Sequence, residues 1–93
     1  MREKTIEQML VRSVKDRGGI CPKWTGWTGC PDRIALMPHA RIAFIEVKAP
    51  GMKPRPLQES RHRILRALGF KVYVIDGTEQ IGAVLDGIGG DDG

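Results

Sequence analysis

Apolar residues Ile6, Met9, Leu10 and Val14 recur at three- and four-residue intervals, which predicts an amphipathic helix from Thr5 to Arg17. Thr5 suits its N-cap, and Gly18-Gly19 suits its end. Between Ile20 and Trp27 apolar and polar residues alternate loosely within glycine boundaries, the pattern of a strand. Gly29-Cys30-Pro31 is turn chemistry. The short apolar run Arg33 to Met37 predicts a second strand, and Arg41 to Lys48, rich in sheet-forming residues, a third. Only Pro38-His39-Ala40 separates these two, so they are expected to pair as an antiparallel hairpin. Ala49 to Arg55 contains two prolines and a glycine and is expected to be irregular. Pro56 then suits the first turn of a helix. Its apolar stripe is Leu57, Ile64, Leu65 and Leu68, and Gly69 follows it. Lys71 to Asp76 predicts a fourth strand. Asp76 or Thr78 caps a last helix running through about Leu85, and Gly87 to Gly93 reads as a frayed tail.

The order αβββαβα predicts an α/β fold with a mixed four-stranded sheet flanked by helices. A chain of 93 residues suits one domain. It has no apolar run approaching the roughly 20 residues of a membrane span. Its first helix is amphipathic, without the apolar core of a signal peptide, so a cytoplasmic location is expected. Two cysteines, Cys21 and Cys30, are too few for a disulfide framework. With His39 and His62 they lack the close pairwise spacing of a zinc site, and reduced thiols are expected.

Charge changes this picture. Residues 1–75 hold all 15 Lys and Arg against 6 acids, whereas residues 76–93 hold 5 acids and no Lys or Arg. The basic portion is an anion-facing surface, and nucleic acid is the commonest partner of that kind.

Candidate chemistry lies at the end of the third strand. Residues two apart on a strand share a face, so Glu46 and Lys48 project together and Val47 points away. If the hairpin forms, Asp32 lies near Glu46 at the same end. Two carboxylates held close repel one another unless a cation sits between them, and oxygen-only ligands favour Mg²⁺ or Mn²⁺ over zinc. Glu7 falls within the apolar arc of the first helix, a costly place for an unpaired acid. Gln58 sits one turn into the second long helix. Such a set suits phosphodiester hydrolysis. A carboxylate-bound divalent ion offsets charge on the phosphate and leaving oxygens, and it lowers the pKa of a bound water. A neighbouring lysine positions that water.

The ordered set of Glu7 in a helix, Gly29-Cys30-Pro31-Asp32-Arg33, Glu46-Val47-Lys48 and helical Gln58 resembles the PD-(D/E)XK nuclease superfamily. Within it, the set is most similar to the small stand-alone, phage-type VRR-NUC branch. The resemblance spans Thr5 to Ile75. It implies a restriction-endonuclease-like core in which Asp32, Glu46 and the Val47 carbonyl hold Mg²⁺ or Mn²⁺. Glu7 would complete the metal shell or orient its water, Lys48 would serve the attacking water, and Gln58 would steady Lys48 or the phosphate. It further implies a homodimeric endonuclease selective for branched DNA such as four-way (Holliday) junctions.

Each feature has a plainer alternative. Glu46 and Lys48 could form a surface ion pair, which contributes little. Glu7 could snorkel to water, and Gln58 could be a surface residue. The basic residues around the second helix, among them Lys53, Arg55, Arg61 and Arg63, are either a solvated face or a rim contacting phosphates. Trp24 and Trp27 either stack on unpaired bases or pack in a core or dimer contact. The rival to an endonuclease is a non-catalytic nucleic-acid-binding module of the same fold.

Overall fold

A computed structural model describes residues 1–89. Helix α1 (Glu3–Asp16) precedes strands β1 (Arg33–Met37) and β2 (Arg41–Val47). Helix α2 (Pro56–Ala67) and strand β3 (Lys71–Ile75) follow, then a 3₁₀ turn (Thr78–Gln80) and helix α3 (Ile81–Gly89).

The sheet is mixed, as expected, but it has three strands among the described residues and not four. Its order is β1-β2-β3, antiparallel at the first pair and parallel at the second. The segment expected as a strand from Ile20 to Trp27 makes only isolated bridges to β1, Ile20 with Leu36 and Lys23 with Arg33. Pro22 lies between them and has no N–H for a ladder, although its carbonyl accepts from Ile34 at 3.1 Å. Beyond Lys23 the chain leaves the sheet edge as a loop.

Two boundaries also differ from expectation. The N-cap position of α1 is Arg2, not Thr5, which lies inside the helix. The last helix continues past Leu85 because Ile88, 2% exposed, anchors its final turn in the core. Residues 87–89 are therefore helical, and the rest of the expected tail, residues 90–93, lies outside the described residues.

Strand β2 is central and buried from Ala43 to Val47. One face of the sheet meets α1 and α3, in a cluster of Ile6, Leu10, Val14, Ala43, Ile45, Val47, Ile75, Ile81, Leu85 and Ile88. Arg17 and Asp86 tie these two helices together at 2.7 Å. On the other face Phe44, Leu65 and Val72 form a smaller cluster beneath α2, flanked by Trp24, Trp27 and Ile34. Burial against helices on both faces accounts for the nearly unbroken apolar run of β2. Glu46 is the exception in that run, 1% exposed.

The hairpin aligns Arg33 with Ile45 and Met37 with Arg41, and its turn holds His39 and Ala40 at φ of 66° and 61°. His39 is exposed in that turn. No helix of the described residues is long and apolar enough to cross a membrane.

Candidate active site

The β1–β2 register carries Asp32 to the position opposite Glu46. Arg33 pairs with Ile45 and Ile34 with Phe44, so the residue just before β1, Asp32, comes beside Glu46 on the α2 face, where the two carboxyl groups are in hydrogen-bonding contact. The Asp32 carboxylate is fixed by the Val47 N–H, which donates to its Oδ2 at 2.8 Å. Lys48, on the same face as Glu46, places its Nζ 3.7 Å from Glu46 Oε2. Its backbone N–H donates to the Ile75 carbonyl at 2.8 Å, so β3 holds the strand end in place. Asp32, Glu46 and Lys48 are thus brought together as expected.

Helix α2 closes over this group. Gln58 Nε2 donates to Glu46 Oε2 at 3.0 Å, while its Oε1 accepts the Arg55 N–H at 2.8 Å. Both ends of the amide are used, so its orientation is determined by the network. The bond goes to Glu46, where Lys48 or a phosphate had been expected. One turn further, His62 lies buried with Nε2 3.4 Å from Glu46 Oε1. Sequence reasoning missed His62 as a site residue. Its signal was the four-residue spacing from Gln58, which puts both on the helix face that meets β2.

These contacts set the electrostatics. Burial pushes the Glu46 carboxyl up from its ordinary 4.5 to about 8, and the adjacent, hydrogen-bonding Asp32 carboxylate pushes the same way. Lys48 opposes both. Burial likewise pulls the His62 imidazole below its ordinary value, with the Arg66 charge adding to the effect. Burial thus disfavours the charged form of both partners, and the His62–Glu46 contact is not held by a strong ion pair.

Glu7 is only half-buried, and its Oε2 accepts from Arg33 Nε at 2.8 Å. It shares the wall of a groove of about 450 Å³ with Asp32. Among the described residues, no three His, Cys, Asp or Glu side chains gather closely enough to hold a metal ion by themselves. Cys21 and Cys30 are free thiols, and burial pushes Cys21 up to about 11.

The four basic rim candidates part company. Lys53 and Arg63 are exposed and line a cavity of about 460 Å³ on the His62 side of α2. Arg55 is exposed at the start of α2 and joins the site through its backbone bond to Gln58. Arg61 is half-buried, donates to the Thr28 carbonyl at 2.8 Å and lies 4.3 Å over the Trp27 ring.

Scanned against protein-family models, the chain matches none. It is 41% identical over 90 residues to "Putative nuclease p44" of Acyrthosiphon pisum secondary endosymbiont phage 1, covering 95% of this chain and 96% of that one. It superposes on a solved VRR_NUC domain with a TM-score of 0.85 at 26% identity, covering 92% of this chain and 97% of the other. A phage relative of this identity over nearly its whole length, together with the matching fold, shows that the chain belongs to the VRR-NUC nuclease family.

Proposed function

We propose that this chain is a divalent-metal-dependent DNA endonuclease whose active site is Asp32, Glu46, Lys48 and Gln58, with Glu7 at its margin. The observation that carries the reading is the pair of carboxylates, Asp32 and Glu46, facing each other across the hairpin with the Lys48 ammonium on the same face.

The residues fit a hard cation. Without one, two acids share a buried corner and Glu46 is driven toward its protonated form. Asp32, Glu46 and the Val47 carbonyl supply oxygen donors only, a set that suits Mg²⁺ or Mn²⁺. The Asp32 and Glu46 carboxylates and the Val47 carbonyl would hold the ion. Glu7, already paired with Arg33, belongs at the edge of that shell, orienting a water. When bound, the ion supplies charge to offset the developing phosphate and alkoxide oxygens, and it acidifies a water.

The protein does the rest. Gln58 and His62 hold the two Glu46 oxygens and fix the direction of the carboxylate. Lys48 positions the attacking water and offsets phosphate charge. Lys53, Arg55 and Arg63 contact the DNA backbone, and Arg61 contributes by holding the loop beside it. The favoured substrate is branched DNA such as a four-way junction. Resolving one needs two symmetric cuts, and each copy has one site, so the working form is a homodimer in the cytoplasm.

The test uses four-way-junction and linear DNA with Mg²⁺, Mn²⁺ or EDTA. Metal-dependent cutting that is lost in Asp32→Ala, Glu46→Ala and Lys48→Ala, with DNA binding retained, is the expected result. DNA binding without metal-dependent cutting would instead make the chain a non-catalytic binding module. Sedimentation at micromolar concentration checks the dimer.

A further inference from the structure

The hydrolytic site makes no use of Trp24 and Trp27, yet their loop is firmly built. The Trp24 N–H donates to the Asp32 carbonyl at 3.0 Å, and the Cys30 N–H to the Trp27 carbonyl at 2.9 Å. Phe44 backs Trp24, with ring centres 4.8 Å apart, while Arg61 stands 4.3 Å over Trp27. Gly29, at φ 81°, lets the loop lie against α2, because a Cβ there would come within 2.8 Å of Leu57 Cγ. The two indoles, each half-buried, wall the groove of about 450 Å³ together with Glu7, Lys23, Gly29 and Asp32.

We propose that this groove receives an unpaired nucleobase from the nucleotide next to the phosphate being cut. The inference rests on the nuclease reading above and names the feature of DNA that the site selects. Every base has a π-face, so aromatic walls take any base without reading its sequence. Drawing a base out of an intact duplex costs unstacking and unpairing, a cost that is absent for an unpaired strand end or flap and smaller for the terminal pairs beside a branch point, which have lost a stacking neighbour. The groove therefore favours branched over continuous DNA with no base-edge contact. Asp32 is part of both the groove wall and the carboxylate pair. A protein partner seated here would close over the catalytic acid, whereas a flanking nucleotide leaves the phosphate beside it. The aromatic rings are already held by Phe44, Arg61 and the loop bonds, so little conformational freedom is lost when a base arrives.

The full chain is titrated, with Ca²⁺ in place of Mg²⁺, against oligothymidylate and against an abasic deoxyribose-phosphate strand of equal length. The readout is tryptophan fluorescence. The expected result is saturable quenching by oligothymidylate, with binding on the order of 10-fold weaker for the abasic strand. Trp27→Leu weakens oligothymidylate binding by a similar factor, and Trp27→Phe restores most of it. Trp24 is a poorer target because it packs on Phe44. In cleavage of a forked DNA with Mg²⁺, an abasic nucleotide beside the cut lowers kcat/KM for the unmodified chain but not for Trp27→Leu.

Equal binding of the two strands overturns the groove, whatever happens to cleavage. A Trp27→Leu change in sedimentation without a change in binding also overturns it, and gives the face to a second copy of this chain. Base-dependent quenching with no cutting of any DNA removes the nuclease reading and leaves a base-binding groove. Cutting that ignores the abasic nucleotide leaves the nuclease and removes the groove.

Discussion

On one face of β2, the side chains of Ala43, Ile45 and Val47 pack into the apolar cluster shared with α1 and α3. On the other face Phe44 shares its row with Glu46, and Lys48 extends the row beyond the strand end, beneath an α2 that supplies Gln58 and His62. The two faces are made by alternate residues of the same short segment. One is built for stability. The other buries an acid beside a second acid, an arrangement that costs stability and makes sense as a place for a cation and a phosphate.

The comparison breaks first at activity. Glu46→Gln, Asp32→Asn or Lys48→Met is expected to lower the cleavage rate by roughly 10²–10⁴-fold. Ile45→Ala, one residue from Glu46, should leave single-turnover cleavage nearly unchanged in whatever fraction remains folded. Gel-resolved cleavage under single-turnover conditions distinguishes them.

Stability should show the reverse order. Ile45→Ala is expected to cost about 2–5 kcal/mol in urea unfolding, since it empties a fully buried position. Glu46→Gln is expected to be neutral or stabilising at pH 8 in EDTA, because it removes a buried charge while keeping a hydrogen-bonding side chain.

The pH dependence sharpens the contrast. The folded protein holds the Glu46 proton up to about pH 8, whereas the unfolded chain releases it near 4.5. The folded state therefore binds more protons in that window, and metal-free stability is expected to fall as pH rises from about 4.5 to 8. Over that window the loss is on the order of a few kcal/mol. Glu46→Gln should flatten the curve. Mg²⁺ should restore stability at the alkaline end, because it binds the folded form with Glu46 ionised. Thermal melts in EDTA and in Mg²⁺ check all three.

A smaller effect is expected at His62. His62→Ala leaves Glu46 Oε1 without its neighbour and should cost about 1–3 kcal/mol, with weaker Mg²⁺ binding by calorimetry. His62→Gln, which returns a donor near the same place, should recover much of the metal affinity. Equal affinity in His62→Ala and the unmodified chain would remove His62 from the site.

Much of this was legible before the fold was known. Strand periodicity placed Glu46 and Lys48 on one face, and the three-residue link Pro38-His39-Ala40 set the hairpin that brings Asp32 opposite Glu46. The helix α2 stripe was legible as well. The failed strand at Ile20 to Trp27 had the right composition, but Pro22 and the departure of the chain after Lys23 limited it to two bridges. Glu7 was singled out as an acid in an apolar arc, and the structure leaves it half-buried and paired with Arg33. Its Arg33 partner lies 26 residues away in sequence, at a separation no local pattern reports.

The sequence by itself determined the order of the helices and of the three strands that form, the pairing of β1 with β2 and the face of β2 on which Glu46 and Lys48 lie. Each follows from local rules of period two, period 3.6 and turn length. Only the tertiary structure decided that Gln58 and His62 converge on Glu46, that Arg61 serves the tryptophan loop, and that Trp24 and Trp27 share a groove with Asp32. Those contacts depend on how α2 and the loop lie over the sheet. That placement is set by the packing of Leu65 on Phe44 and Val72 and by the close approach at Gly29, which involve residues far apart in the chain.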